Sequence, residues 1–179
     1  MREEKDVSYP QKPPLPAAEM ESFFLRQTIG VVCSHNSDET IHAVPVQLAY
    51  RDGAFFFGTQ GESRKARNLM RNQDVTLLLD ERSKPYRSVT VYGHAEIERH
   101  NVEDTRVWVL STTTPVHVAR DFVRRMDKEF DSLVVRVWPK KVVSVDYSKT
   151  GFIEQPRERQ WVASGRSVGE RHGTKERTL

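Results

Sequence analysis

The sequence predicts a mostly β chain of the α+β class, in which an antiparallel β-barrel carries a few peripheral helices. About six segments are rich in apolar, β-branched and aromatic residues, as strands are. Short turn-forming links, such as residues 36–40 and 51–53, join them and suit antiparallel pairing. Helical periodicity is confined to a few segments between the strands. Because closure removes exposed strand edges, we expect this sheet to curl into a small barrel.

Length and charge set the domain organisation. The chain has 179 residues, which suits one domain. We expect a flexible N-terminal arm over residues 1–15, one folded domain over 16–150 and a flexible basic tail over 151–179. From Lys149 onward, seven Lys/Arg stand against four Asp/Glu, which accounts for the whole net charge of +3. Such a tail can touch nucleic acid or acidic membrane, but its composition favours a solvated end, and we expect no specific nucleic-acid partner.

The single cysteine and the N-terminal composition indicate a cellular location. Cys33 has no second cysteine to pair with, which fits a reducing compartment. The first 18 residues hold charges and prolines where a signal peptide needs an apolar segment. We therefore expect a cytoplasmic protein without a membrane-spanning segment.

The first half of the domain reads as a helix followed by three strands. Pro16 suits the first turn of a helix, and we expect Gly30 to end it. The strand signals that follow cover residues 29–35, 41–50 and 54–59. Pro45 lies in the middle of the second strand and cannot donate a ladder hydrogen bond. We therefore expect this strand at an edge of the sheet or at a bulge.

The second half begins with a short basic helix. Ser63 or Glu62 can cap it, and Ala66, Leu69 and Met70 then share one face. Strands are predicted at residues 74–81 and 87–98, and one long strand or two at 132–147. Helices are predicted at 101–110 and from the "TTTP" segment to residue 130. The last of these helices has one apolar stripe, formed by Ala119, Phe122, Val123, Met126 and Phe130. In the final strand Pro139 predicts a bend or bulge.

The start of the basic helix has the composition of a phosphate site. Thr59 ends a strand, and Ser63, Arg64 and Lys65 lie in or near the first helical turn. Free backbone N–H groups and the positive end of the helix dipole meet there, beside two cations and two hydroxyls. Cations at a helix N-terminus are unfavourable unless an anion compensates them. The alternative is an ordinary solvated helix start with surface charges.

The strand around Pro45 can present its main chain to a ligand. A polar heteroaromatic ring can be held by main-chain groups of Val44, Pro45, Val46 and Gln47, together with the side chain of Gln47. The alternative is a proline that only protects a sheet edge.

The order of these pieces resembles the pyridoxamine 5'-phosphate oxidase-like flavin-binding split barrels. The matching text is "HAVPVQLAYRDGAFFFGTQGESRKARNLMRNQDVTLLLDE" followed by "YRSVTVYGHAEIER", within residues 20–147. The family shows a strand with a mid-strand proline, a hairpin to an aromatic strand ending in Thr, and Ser-Arg-Lys opening a helix. It then shows a strand ending in Val-x-Gly-x-Ala-Glu. The resemblance implies a split barrel.

By this resemblance the cofactor is FMN and the protein is an oxidoreductase acting on a small molecule. Thr59, Ser63, Arg64 and Lys65 would hold the phosphate, residues 44–47 would line the isoalloxazine edge, and Ser88 would reach the ring or ribityl chain. The family also implies a homodimer with two flavins at the subunit interface.

Several positions depart from true pyridoxamine phosphate oxidases. Those enzymes place basic residues at the positions matching His42 and Gln47, and a Gln at the position matching Ser88. They also carry C-terminal motifs for cofactor and substrate that this sequence does not show. Oxidation of pyridoxamine phosphate is therefore not expected, although His42 could supply a charge or a hydrogen bond in place of the basic residue. One alternative is an F420-dependent reductase, in which Arg67 and Arg71 along the helix meet a longer anionic tail. The others are a flavin- or haem-binding module without turnover and a partner-binding barrel whose site is empty.

The remaining motifs carry no further chemistry. The histidines show no paired metal-ligand spacing, and Cys33 with His35 cannot complete a zinc site, so we expect no metal. The sequence holds no P-loop, no dinucleotide GxGxxG motif and no nucleophile motif that would assign catalytic residues.

Overall fold

The computed structural model describes residues 13–149, so residues 1–12 of the expected arm and the expected tail lie outside the described residues. Its four α-helices are α1 (Ala17–Arg26), α2 (Arg64–Arg71), α3 (Glu103–Ser111) and α4 (Val116–Glu129). The strands are β1 (Ile29–His35), β2 (Ile41–Gln47), β3 (Ala49–Arg51), β4 (Ala54–Gln60), β5 (Asp74–Glu81), β6 (Arg87–Glu98) and β7 (Ser132–Asp146). A 3₁₀ turn, Tyr147–Lys149, follows β7.

The seven strands form one antiparallel sheet in the order β2-β1-β5-β6-β7-β4-β3. Its two edge strands, β2 and β3, are consecutive in the chain, with only Leu48 between them. The sheet must therefore curl until its edges meet at Leu48, which gives a split barrel with the helices around it. The predicted fold class is confirmed.

Leu48 also explains why residues 41–50, expected as one strand, are two. Its side chain is fully buried, and its N–H donates at 3.0 Å to the carbonyl of Thr28, the residue just before β1 begins. The chain turns at this point from one edge of the sheet to the other.

The interior of the barrel holds alternate residues of the strands, and α1 covers one end. Phe24 of α1 packs against Phe55 and Tyr50, with ring centroids 4.9 and 5.0 Å away. The expectation that Gly30 ends α1 is wrong, because the helix ends at Arg26 and Gly30 lies inside β1. A Cβ on Gly30 would stand 2.7 Å from a methyl group of Leu48. Gly30 is therefore needed because a larger side chain would collide with the core of the barrel.

Both strand prolines act as the sequence predicted. Pro45 lies in β2, an edge strand, where its missing N–H leaves no ladder bond unmade. Pro139 adjoins a bulge in the pairing of β6 with β7, where Tyr92 faces Lys141 but Gly93 faces Pro139. The residue between them, Lys140, is the extra one.

Helices α3 and α4 lie outside the sheet, as expected. Trp108 of α3 meets Phe56 of β4 edge to face at 5.5 Å between centroids. The stripe predicted for α4 is only partly buried: Ala119 and Val123 pack against α3, whereas Phe122 is 41% exposed and Phe130 is 46% exposed.

The last residues of the expected arm belong to the folded body. Leu15 is buried, its N–H donates to Ser144 Oγ at 3.0 Å, and the carbonyl of Pro13 accepts from Asp146 N at 2.9 Å. Over residues 13–149, no helix is long and apolar enough to cross a bilayer.

Candidate functional site

A cleft of about 250 Å³ opens where the edge of β2 approaches the end of β4, the start of α2 and the pair α3–α4. Five of the ten site residues predicted from sequence line it, namely Pro45, Val46, Gln47, Thr59 and Lys65. The rest of the lining consists of Gly58, Gln60, Arg106, Val109, Leu110, Phe122 and Met126. The structure thus brings the predicted ring-binding strand and part of the predicted phosphate site into one cleft.

The start of α2 is organised by two hydroxyl groups. Ser63 is the N-cap residue, and its Oγ accepts from Ala66 N at 3.3 Å. Its Oγ also lies 2.9 Å from Thr59 Oγ1, so the end of β4 and the start of α2 are tied together. Thr59 is buried at the wall of the cleft. This pair fixes the corner at which the helix N-terminus meets the cleft.

The two cations of this corner lie in different environments. Lys65 lines the cleft and is half-buried, and desolvation by burial lowers the pKa of its ammonium below the ordinary value. Arg64, the first residue of α2, is exposed and does not line the cleft. An anion beside Lys65 would restore the stabilisation that its charge loses by burial.

Gln47 has a partner that the sequence did not reveal. Its Nε2 donates toward the C-terminal end of α3, with Thr113 Oγ1 at 2.7 Å and the carbonyls of Val109 and Leu110 at 3.2 Å. In the turn that ends α3, the Val109 carbonyl also accepts from Thr112 Oγ1 at 2.7 Å, and the Leu110 carbonyl accepts from Thr113 N at 3.3 Å. The amide nitrogen therefore anchors α3 to the edge of β2, and the ligand contact expected of Gln47 stays a prediction.

Arg106 of α3 is a charged lining residue that sequence reasoning missed. It is 7% exposed, and its Nη1 donates to Asp127 of α4. Its side chain lies across Gly58, where an added Cβ would stand 3.3 Å from Arg106 Cγ. No local sequence pattern predicts that Arg106 lines the cleft, because the residues that hold it there, Gly58 and Asp127, are distant in sequence.

The other predicted site residues lie outside the cleft lining. His42 and Val44 are half-buried on β2, Ser63 stands behind Thr59, and Ser88 lies on β6, three strands from β2 in the sheet. Their roles stay predictions. Within residues 13–149, no group of three or more His, Cys, Asp or Glu side chains could hold a metal ion.

An apolar outer face of the sheet begins at the rim of the cleft. Strand pairing places Pro45, Val31, Leu78, Thr90 and Val143 in one row across five strands. Residues paired in this way project to the same side of a sheet. Leu78 and Val143 are exposed by 38% and 44%, and Pro45 belongs both to this row and to the cleft. Further exposed apolar side chains of the same strands are Ile29, Ile41 and Tyr92.

Comparison with known proteins identifies a family for this fold and cleft. The family model described as pyridoxamine 5'-phosphate oxidase matches residues 16–145. No match was found among curated proteins.

Solved structures with the same fold share little sequence with the chain. A conserved hypothetical protein, Rv2991, from Mycobacterium tuberculosis is 24% identical, with a TM-score of 0.69 over 83% of this chain and 95% of that one. An FAD-binding protein from Mesorhizobium loti is 18% identical, with a TM-score of 0.57 over 75% and 95% of the two chains. An F420 reductase is 20% identical, with a TM-score of 0.54 over 68% and 94%. These likenesses show the fold.

Proposed function

Because the chain belongs to the pyridoxamine 5'-phosphate oxidase family, we propose that it binds FMN in the cleft and is an FMN-dependent oxidoreductase acting on a small molecule. The observation that carries the proposal is the meeting of the predicted phosphate site, at Thr59 and Lys65, with the edge strand Pro45–Gln47 in one cleft. Pyridoxamine phosphate itself is not the proposed substrate, since the C-terminal motifs for it are missing from the sequence.

The residues present fit such a cofactor. Lys65, the hydroxyl pair and the N-terminal N–H groups of α2 offer a cation and donors to a phosphate. The apolar side chains of Val46, Val109, Leu110, Phe122 and Met126 would cover a planar ring. FMN, when bound, supplies hydride or single-electron transfer, while the protein binds and orients it and excludes water.

We include a homodimer in the proposal, with the cofactor at the subunit interface. The cleft of about 250 Å³ is smaller than the roughly 300–1,000 Å³ of typical ligand sites. The apolar row that starts at Pro45 lies beside the open side of the cleft, and a second copy of the chain could pack against this row. A second copy bound there would close the open side of the cleft. A cytoplasmic location also remains part of the proposal, supported by the single cysteine.

Structures with this fold include an FAD-binding protein and an F420 reductase, which supports a flavin-type cofactor without choosing among them. The arginines of the basic helix favour FMN over F420, whose anionic tail is longer, because they already have partners. Arg71, expected to meet such a tail, donates to the carbonyl of His35, and Arg67 pairs with Glu62 at 3.7 Å.

Titration of the purified protein with FMN, F420 and haem tests the proposal. We expect the absorbance and fluorescence of FMN to change saturably, with weaker binding of the other two. Replacing Lys65 by Ala should weaken FMN binding by about 1.5–3 kcal/mol, the contribution of one charge-assisted contact. Arg67→Ala, on the same helix but outside the cleft, is the matched control and should bind FMN normally. Binding of F420 or haem in preference to FMN would establish one of the alternative functions instead.

Sedimentation analysis tests the dimer. Leu78→Glu places a charge in the middle of the apolar row and should give monomers. Val116→Glu, at a more exposed apolar position of α4, should leave the dimer intact. A monomeric wild-type protein would contradict the dimer but not FMN binding.

A further inference from the structure

Arg106 stands in the cleft with hydrogen-bonding capacity left over. Its Nη1 donates to Asp127, whereas Nε and Nη2 have no partner among residues 13–149. Neither group is among the fully enclosed polar atoms that lack a partner. Since the side chain is 7% exposed and lines the cleft, the open side of these groups is the cleft itself.

The fold makes specific room for this side chain. Its stem lies on Gly58 of β4, where a Cβ would approach Cγ, Nε and Cδ at 3.3, 3.5 and 3.8 Å. Asp127 of α4 then holds one side of the guanidinium and leaves the other side unpaired. A planar guanidinium held in this way is preorganised to donate two hydrogen bonds from one edge.

A purely structural role for the Arg106–Asp127 ion pair, joining α3 to α4, does not explain the unpaired donors of Arg106. Arg124 and Arg120 of α4 already pair with Glu103 of α3 at the surface, at 3.1 and 3.6 Å. A buried pair adds little net stability, because the cost of desolvating both charges offsets their attraction. Donors that face a cleft without a partner are therefore not explained by helix packing.

We propose that the free edge of Arg106 binds the ring system of the cofactor, by donating hydrogen bonds to a carbonyl oxygen or ring nitrogen. This inference rests on the proposed flavin site. The neighbours of Arg106 in the lining, Val109, Leu110 and Met126, are apolar and suit a planar ring better than a solvated phosphate. Lys65 then serves the phosphate and Arg106 the ring.

The test compares three flavins that share the ring but carry no, one or two phosphates: riboflavin, FMN and FAD. Their dissociation constants are measured by fluorescence for the wild type, Arg106→Met, Lys65→Met and the control Arg124→Met. The control removes an α3–α4 ion pair at the surface and leaves the cleft untouched. Circular dichroism and thermal unfolding verify that each variant is folded.

We expect Arg106→Met to weaken all three flavins by about tenfold to a hundredfold, since hydrogen bonds from a charged donor to the shared ring are lost. Lys65→Met should remove the preference for FMN over riboflavin and leave riboflavin binding unchanged. Arg124→Met should stay within about twofold of the wild type, because exposed ion pairs contribute little.

Each of the following results would overturn the assignment. A folded Arg106→Met that binds all three flavins as the wild type does would leave Arg106 a packing residue, and loss of FAD binding alone would assign it to a second phosphate. If Arg106→Met does not fold, Arg106→Lys replaces it, because lysine keeps the charge but lacks the planar edge. Wild-type affinity in that variant would equally refute the inference. A wild-type protein that binds none of the flavins would refute the proposed function, and this inference with it.

Discussion

Replacing Ser63 by Ala should destabilise the protein through two separate losses at one corner. The hydroxyl caps α2, and loss of an N-cap costs about 1 kcal/mol. The distance from Ala66 N to Ser63 Oγ is 3.3 Å, long for a hydrogen bond, so we take about 0.5–1 kcal/mol for this part. The bond to Thr59 is 2.9 Å long and ends on a buried hydroxyl, whose loss of a partner costs about 1–2 kcal/mol.

The sum for Ser63→Ala is a fall of about 2 kcal/mol in the free energy of unfolding. A double-mutant cycle with Thr59→Val isolates the bond between the two side chains. Because both single variants remove the same bond, the double variant should be less destabilised than the sum of the two by about 1 kcal/mol.

The assay is equilibrium urea unfolding followed by circular dichroism. Ser22→Ala provides the control, since Ser22 Oγ donates to the Glu19 carbonyl on the exposed side of α1, and it should change stability by less than about 0.5 kcal/mol. If the Ser63 and Thr59 variants are additive within about 0.5 kcal/mol, the hydroxyl pair does not join β4 to α2 and the corner must be held otherwise.

Three further predictions concern the cleft and the sheet. Burial lowers the pKa of Lys65 from 10.5, and only the charged ammonium attracts phosphate. FMN affinity should therefore decline with rising pH before pH 10.5 is reached. The variant Lys65→Arg keeps its charge and should show no such decline. Plots of FMN affinity against pH that run parallel for the two proteins would contradict this prediction. Gly93→Ala should lower the free energy of unfolding by about 1–3 kcal/mol, because its Cβ would lie 2.8 Å from the Trp138 carbonyl oxygen; an unchanged urea midpoint would show that the bulge can relax. Gln47→Leu should speed amide exchange at residues 109–113 while β4 stays protected, and unchanged exchange would mean that its amide does not hold α3.

Features set by a residue's own chemistry could be predicted from the sequence. Pro45 has no N–H, so it is expected on an edge strand or at a bulge, and it lies in the edge strand β2. Ser63 is a favoured capping residue directly before a periodic segment, and it is the N-cap of α2. Pro139 likewise adjoins the bulge that its ring predicts. In each case the physical cause lies within a few residues of the feature.

Features set by the meeting of distant segments could not be predicted. The spacing of the α4 stripe correctly places Phe122 beside Ala119 and Val123, but only the packed structure shows that a cleft, not another helix, lies next to it. Arg106 reads as one more charge on a helix until Gly58 is seen beneath it. The contact of the Gln47 amide with the end of α3 likewise depends on a distant segment.

The place of the cleft follows from how the barrel closes. A sheet whose two edges meet at Leu48 leaves the outer side of β2 without a strand partner along residues 44–47. An unpaired edge invites another strand, but Pro45 removes one donor from it and so opposes strand addition while the carbonyls remain acceptors. A small ligand with a few donors can use such an edge where a strand cannot. The same proline that opposes pairing with other chains would thus keep the edge available to the proposed cofactor ring.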